Sequence, residues 1–297
     1  MPRSPRLALT AGLMLGLALC SSASAPPVGR TDCFVWREDD VLFGGLSAIE
    51  MSADGREITV LSDRGAWTRG HVQRDAAGRI TGIEVPPLRP LLARGTAPLS
   101  RGRSDSEGLA IAPDGTAYVS FEGAARVLRY RDMAGSAVNL RVHRDFALMQ
   151  GNAALEALAI DRDGNLYTLP ERSGSATRPF PVYRFREGRW DQPFAIPRRG
   201  AYLAVGADFG PDGRLYLLER RFRGLLGFGS RVRRFELGPA GILSEETVFE
   251  SPSGVYDNLE GLAVWQEAGG GIVISMVSDD NFLFVQRTEI VEHRLAH

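Results

Sequence analysis

The sequence predicts an all-β fold, a β-propeller built from four-stranded antiparallel blades, and three observations support this prediction. A β-hairpin pattern recurs along the chain, the turns of these hairpins are regularly spaced, and no segment of useful length has the periodicity of an amphipathic helix. A propeller repeats one four-stranded sheet around a central channel, so a recurring hairpin without helices is the pattern expected of it.

Each repeat contains a hairpin whose turn carries Asp-Gly or a Gly-rich segment. A short β-rich run meets the turn, and a second β-rich run returns. Between the hairpins lie further strand-like segments, such as Arg126 to Tyr130 and Val138 to Phe146. Each repeat is therefore predicted to supply four strands, which make one blade. The copies cover residues 46–64, 107–122, 156–171, 205–219 and 258–279.

The spacing of the turns indicates the number of blades. Successive turns are separated by 60, 49, 49 and about 58 residues, and their glycines are Gly55, Gly115, Gly164, Gly213 and Gly271. About 31 residues of the mature chain precede the first turn and 26 follow the last, which together make about one more repeat. Closure of the ring by pairing of the first and last strands would account for both ends. Five blades are favoured, and six would need one repeat hidden by divergence.

The N-terminus has the features of a signal peptide. Two basic residues, Arg3 and Arg6, precede an apolar stretch of 13 residues from Leu7 to Leu19 that is too short to span a bilayer comfortably. Small residues follow, and cleavage after Ala23 is favoured over cleavage after Ala25. Residues 1–23 are therefore predicted to be a leader and 24–297 a single propeller domain, periplasmic or secreted. Lipid anchoring at Cys20 is the less favoured alternative.

Composition excludes some classes of partner. The formal net charge is −1, so a polyanion such as nucleic acid is not an expected partner. All 35 basic residues are Arg and none is Lys. No later stretch is apolar enough for a transmembrane helix. After cleavage Cys33 is the only cysteine, so no intramolecular disulfide can form, and it is expected to lie half-buried in an early strand.

Carboxylates recur at one end of the predicted hairpins. The residue that opens the first strand of a hairpin lies beside the residue that ends the second, so Glu107 is expected beside Glu122, and Glu156 beside Glu171. Converging carboxylates repel each other unless a cation neutralises them, and oxygen-rich clusters suit Ca²⁺. The competing interpretation is that they pair with Arg to cap hairpins or are solvated. The candidate metal ligands are Asp63, Glu107, Glu156, Glu171, Glu219, Glu260, Asp279 and Asp280.

Six motifs are spread over nearly all of the mature chain. They are Gly44-Gly45-Leu46-Ser47, Leu61-Ser62-Asp63-Arg64-Gly65, Asp105-Ser106-Glu107-Gly108-Leu109, Leu218-Glu219-Arg220-Arg221-Phe222, Asn258-Leu259-Glu260-Gly261-Leu262 and Val277-Ser278-Asp279-Asp280-Asn281-Phe282. Together they resemble the family described as "esterase-like activity of phytase". The resemblance implies a propeller, export, and a phosphoesterase or esterase activity. Related propeller phytases bind phosphate partly through Lys, so here that role would pass to Arg64, Arg220 or Arg221. Arg172 and Asn281 are further candidates for substrate binding.

Two functions are consistent with these features. The first is an exported hydrolase of phosphoesters or esters that acts on a small anionic substrate and is assisted by Ca²⁺ at the acidic rim. The alternative is a non-catalytic periplasmic propeller that binds a ligand or a protein, since this fold hosts both kinds of function. A metal-free serine esterase would need a Ser–His pair, and the sequence contains no motif that indicates one.

Overall fold

The computed structural model describes residues 29–100, 102–149 and 154–296. The predicted leader, its two cleavage sites and Cys20 lie outside these residues. Within them the chain forms 21 β-strands and two 3-10 helices, Arg144–Leu148 and Gly224–Leu226. No helix in this part of the chain is long and apolar enough to cross a membrane.

The strands are numbered in chain order. They are β1 (Arg30–Val35), β2 (Leu46–Met51), β3 (Glu57–Ser62), β4 (Ala66–Arg74), β5 (Ile80–Glu84), β6 (Arg89–Pro90), β7 (Ser106–Ile111), β8 (Ala117–Phe121), β9 (Arg126–Tyr130), β10 (Val138–Asn139), β11 (Leu155–Ile160), β12 (Leu166–Pro170), β13 (Phe180–Arg186), β14 (Arg189–Ile196), β15 (Leu203–Phe209), β16 (Leu215–Phe222), β17 (Phe228–Gly238), β18 (Gly241–Glu250), β19 (Asn258–Gln266), β20 (Ile272–Asp279) and β21 (Glu289–Arg294).

These strands form five antiparallel blades in a ring, which confirms the predicted five-bladed propeller. The blades are β2-β3-β4-β5, β7-β8-β9-β10, β11-β12-β13-β14, β15-β16-β17-β18 and β19-β20-β21-β1. The first blade also carries the two-residue strand β6, which pairs with β4. The first strand of every blade is the innermost, and these five strands contact one another around the central channel.

The last blade closes the ring in the way the sequence predicted. β1 pairs with β21 from Arg30 opposite Arg294 to Val35 opposite Glu289. The N-terminal strand therefore completes the C-terminal blade. Cys33 lies on β1 but is exposed rather than half-buried.

The hydrophobic core consists of five clusters, one between each pair of neighbouring blades. Successive residues of a strand point to opposite faces of its sheet. Val60 and Leu61 on β3 accordingly enter clusters on opposite sides of the first blade. Because both faces of an inner strand are buried, these strands are apolar at most positions.

One strand prediction is wrong. The segment from Val138 to Phe146 was expected to be strand-like, but only Val138–Asn139 pairs as β10, and Arg144–Leu148 is a 3-10 helix. The imidazole Nδ1 of His143 accepts a hydrogen bond of 3.2 Å from the backbone N–H of Asp145. This local side-chain contact satisfies a backbone donor that a strand would have used, and it favours the helical turn.

Candidate functional site at the acidic mouth of the channel

A β-bulge near the start of each innermost strand sets the geometry of one mouth of the channel. The register shifts after Leu46, Ser106, Leu155, Ala204 and Leu259. A bulge inserts an extra residue and re-aims its side chain. The residues that follow these five positions are Ser47, Glu107, Glu156, Val205 and Glu260, so three of the five blades place a glutamate here. We call them the inner ring.

The second strands of the blades supply an outer ring. The residues paired with Leu46, Ser106, Leu155, Ala204 and Leu259 are Ser62, Phe121, Pro170, Glu219 and Ser278. The next residue of each second strand is equivalent in all five blades. These residues, the outer ring, are Asp63, Glu122, Glu171, Arg220 and Asp279. In the outer ring, the blade formed by β15–β18 contributes a guanidinium, and each of the other four blades contributes a carboxylate.

Small residues close the channel immediately below the inner ring. A methyl group built on Gly108 would lie 2.6 Å from the carbonyl oxygen of Glu156, and one on Gly206 would lie 2.5 Å from that of Glu260. Neighbouring inner strands thus meet backbone to backbone. The void left between them is about 10 Å³, room for one water at most. The acidic mouth is therefore separated from the opposite end of the channel.

Burial raises the pKa of most carboxyl groups at this mouth. In the outer ring, burial raises the pKa of Asp63 to about 6, of Glu122 to about 7 and of Asp279 to about 8. Burial also raises the pKa of the inner-ring glutamates, and the neighbouring carboxylates add to the effect for Glu107 and Glu156. These groups carry negative charge at neutral pH only at a cost in free energy, which a bound cation would offset.

Three carboxylates of the second blade form a group that could hold a metal ion. Asp105, Glu107 and Glu122 each offer one oxygen, and these oxygens lie within 4.8 Å of one another. Two oxygens that each lie about 2.4 Å from a single ion are at most about 4.8 Å apart, so this spacing fits a hard cation such as Ca²⁺. The donor set is entirely carboxylate oxygen, which is the chemistry that such cations prefer. We call this group the acidic triad.

Arg220 neutralises the opposite part of the two rings. Its guanidinium donates to Asn258 Oδ1 at 2.7 Å and to Glu171 Oε1 at 3.2 Å, and it lies 3.0 Å from Glu260 Oε1. Asn258 in turn donates to Glu260 Oε1 at 2.8 Å. Arg220 thus holds these side chains in fixed positions at the edge of the acidic cluster.

Two of the predicted metal ligands are engaged by other groups of the protein. Glu219 is fully buried, and its carboxylate accepts hydrogen bonds of 2.7–2.9 Å from Arg231 and Arg233. Asp280 accepts from the backbone N–H groups of Gly45 and Phe282 and therefore stabilises a loop. The structure brings together the other six, which are Asp63, Glu107, Glu156, Glu171, Glu260 and Asp279.

Of the remaining predicted substrate-binding residues, Arg64, Arg172 and Asn281 lie beside outer-ring residues, whereas Arg221 contacts Tyr202. The guanidinium of Arg64 stacks 3.2 Å above the ring centroid of Phe282, and that of Arg221 lies 4.7 Å from the ring of Tyr202. Arg172 is half exposed and pairs with Glu171 at 3.0 Å. Asn281 donates its backbone N–H to Asp279 and is exposed.

Sequence reasoning left Asp105, Glu122 and Asn258 out of the candidate site. Asp105 lies two residues before Glu107, at which the predicted strand opens, and Glu122 is expected beside Glu107 but is not among the candidate ligands. Counting seven residues from the turn glycines Gly115, Gly164 and Gly213 reaches Glu122, Glu171 and Arg220. The spacing of the repeat therefore identifies Glu122, and it places Arg220 rather than Glu219 at the equivalent position of the fourth blade.

Comparison with known proteins gives a family. A protein-family model described as "Phytase-like: Esterase-like activity of phytase" matches residues 41–282. No curated protein sequence matches the chain. Similar solved structures include a virginiamycin B lyase from Staphylococcus aureus, which is 11% identical over 90% of this chain and 100% of its own, with a TM-score of 0.43. A putative gluconolactonase is 11% identical over 92% of this chain and 96% of its own, with a TM-score of 0.46.

Proposed function

Because the chain belongs to the phytase-like family described as having the esterase-like activity of phytase, we propose that it is an exported hydrolase of phosphoesters or esters that uses Ca²⁺ at the acidic mouth of its channel. One observation carries this proposal. Two concentric rings place seven carboxylates, together with Asp105 and the single guanidinium of Arg220, at one mouth of a closed channel.

The acidic triad is the proposed cation site. A divalent cation held there would neutralise charge and would polarise an ester oxygen. Asp105, Glu107 and Glu122 would hold it through their carboxylate oxygens. Asp279, whose pKa burial raises to about 8, lies outside the triad and would hold the proton that the leaving oxygen requires. Arg220 keeps Glu171 and Glu260 in position beside the substrate.

Export forms part of the same proposal. The leader predicted at residues 1–23 would direct the chain across a membrane, and hydrolysis would then take place in the periplasm or outside the cell. Ca²⁺ is more available in such compartments than inside cells, which suits a site made of carboxylates alone.

The test measures hydrolysis of p-nitrophenyl phosphate and p-nitrophenyl acetate by protein produced with its leader and recovered after export, with an N-terminus expected at Ser24. We expect activity with Ca²⁺ and little or none with a chelator. Glu107→Gln should lower kcat at least about 100-fold, because it removes one of the three negative charges that would hold the cation.

Glu50→Gln is the matched control. Glu50 lies on β2 at the other end of an inner strand, beyond the closed part of the channel, and accepts a hydrogen bond from the backbone of Ile111 that an amide oxygen would keep. This variant should retain its activity. If folded protein hydrolyses neither substrate with any divalent cation, the proposal is wrong and a binding propeller replaces it.

A further inference from the structure

One buried arginine in the described chain contacts no carboxylate. Four arginines are buried there, and three of them, Arg231, Arg233 and Arg294, form ion pairs of 2.7–3.2 Å. Arg126 is only 6% exposed and forms none among the described residues. The residues outside the description, 1–28, 101, 150–153 and 297, include no Asp or Glu side chain that could serve as its partner.

The present contacts of Arg126 leave its charge uncompensated. Its guanidinium donates to the carbonyl oxygens of Ala124 and Arg103, and it stacks 4.0 Å from the ring of Phe121. Burial, together with the positive charge of Arg103, lowers the pKa of Arg126 to about 10. A guanidinium has five N–H donors, so this side chain retains donors for an anion. An unpaired buried charge is costly, and a bound anion would offset that cost.

Arg126 lines a groove that reaches the acidic triad. The groove has a volume of about 400 Å³ and includes Glu122 of the triad as well as Arg103, which is exposed. Its other wall is apolar and is formed by Val142, Phe146 and Met149. The groove therefore combines positive charge, an apolar wall and a carboxylate of the proposed cation site.

We propose that this groove binds a phosphate ester of an apolar alcohol, with Arg126 and Arg103 contacting the phosphate and Val142, Phe146 and Met149 contacting the alkyl or aryl group. The substrate class rests on the proposed function, because Glu122 belongs both to the groove and to the acidic triad. A phosphate held by the two arginines lies beside the carboxylates that would hold the cation. A highly hydroxylated or multiply phosphorylated alcohol would place polar groups against the apolar wall and is disfavoured.

Binding without turnover tests the groove. The probes are phenylphosphonate and methylphosphonate, whose carbon–phosphorus bonds are not hydrolysed as esters, titrated calorimetrically into the Ca²⁺-loaded protein. Phenylphosphonate should bind at least about tenfold more tightly, because its ring is removed from water. Arg126→Met should weaken both probes at least about tenfold, since a charge-assisted contact is lost. Arg103→Ser should also weaken the binding of both probes, and because Arg103 is exposed this change should leave the fold intact.

Val142→Ser tests the apolar wall against a matched control. Val142 is 57% exposed, so the change should leave the fold intact. It should lower the ratio of the Kd for methylphosphonate to the Kd for phenylphosphonate about threefold or more. Val138→Ser, on β10 and 48% exposed, does not line the groove and should leave the preference unchanged. Equal affinity for the two probes, or unchanged affinity in both arginine variants, would overturn the inference.

Turnover measured on the same proteins separates this inference from the proposed function. Protein that binds phenylphosphonate through Arg126 but hydrolyses no ester supports the groove and contradicts catalysis. Protein that hydrolyses p-nitrophenyl phosphate with an unchanged KM in Arg126→Met supports catalysis and contradicts the groove.

Discussion

Glu219 and Arg220 are neighbours in the chain, yet they face opposite sides of their blade. Side chains alternate along a strand, so a difference of one residue decides which side chain points toward the channel mouth. Glu219 points into the blade and is fully buried there. Its burial is tolerated because two arginines, Arg231 and Arg233, form ion pairs with it. Arg220 takes the position that carboxylates hold in the other four blades.

Replacing Glu219 should therefore affect stability rather than activity. Glu219→Gln would leave Arg231 and Arg233 buried with less compensating charge, and breaking a buried ion pair in this way costs about 3–5 kcal/mol. Chemical denaturation monitored by circular dichroism measures the change in the free energy of unfolding. Glu122→Gln is the control: without Ca²⁺ it should leave this free energy unchanged or raise it, because burial already disfavours the charge of Glu122. Equal losses of unfolding free energy in the two variants would contradict the prediction that Glu219, unlike Glu122, stabilises the fold.

At the scale of the strand, the bulges and the small residues beside them act together to shape the channel mouth. Each bulge adds a residue that can point into the mouth, and the glycine or alanine that follows it lets the neighbouring inner strand approach. Gly206 shows how close this approach is, since a methyl group there would lie 2.5 Å from a backbone oxygen of the next blade. Backbone atoms held in two sheets cannot move aside as a flexible side chain can.

Gly206→Ala should destabilise the propeller even though alanine is otherwise acceptable in a strand. Overpacking of this kind costs about 1–3 kcal/mol or more, and the inner ring should shift with it. Thermal unfolding measures the loss, and Ca²⁺ affinity reports the displacement of the ring. Gly269→Ala is the matched control, because a methyl group there meets nothing within 4 Å. A change in Tm no larger than that of the control would show that the inner strands can separate freely.

At the scale of the whole molecule, the ring is held by non-local contacts where its ends meet. β1 pairs with β21, and Arg74 of the first blade donates to both carboxylate oxygens of Glu292 in the last, at 2.7 and 2.8 Å. Arg294 on β21 lies 3.0 Å from Asp32 on β1. These contacts keep the five blades in a closed ring, and only a closed ring brings carboxylates from all the contributing blades to one mouth.

The acidic mouth should make the stability of the whole propeller depend on pH and on Ca²⁺. Asp63, Glu122 and Asp279 have ordinary pKa values of 3.8 to 4.5 when unfolded and raised values of about 6 to 8 when folded. The folded chain therefore binds more protons than the unfolded chain between about pH 4 and pH 8. In this window the carboxyl groups contribute stability that falls as pH rises.

Tm measured in a chelator should accordingly decrease between pH 5 and pH 8, and added Ca²⁺ should raise Tm more at pH 8 than at pH 5. The ion competes with protons for the same oxygens, so it binds better once they have dissociated. A Glu107→Gln, Glu122→Gln double variant should show a smaller response to both pH and Ca²⁺. If Ca²⁺ raises Tm equally at both pH values, it binds somewhere other than at these carboxyl groups.

The sequence by itself determined the repeat, and through it the number of blades and the closure of the ring. Asp-Gly turns are local signals, because glycine adopts the positive φ that such a turn requires, as Gly164 does at 80°. The recurrence of these turns at intervals of 49 to 60 residues favours five blades, and the hairpin geometry predicts that carboxylates gather at one rim.

Only the tertiary structure decided which of these residues face the channel and which charges lack a partner. Bulges shift the alternation of an inner strand by one residue, and the shift is visible only in the register with the neighbouring strand. The register of β16 against β15 pairs Glu219 with Ala204 and leaves Arg220 at the outer-ring position. The unpaired state of Arg126 depends on what the fold places around it, and no spacing in the chain encodes it. Turns can be predicted from the sequence because they follow from the backbone preferences of a few adjacent residues. The direction of a side chain and the partner of a charged group depend instead on contacts between residues far apart in the sequence.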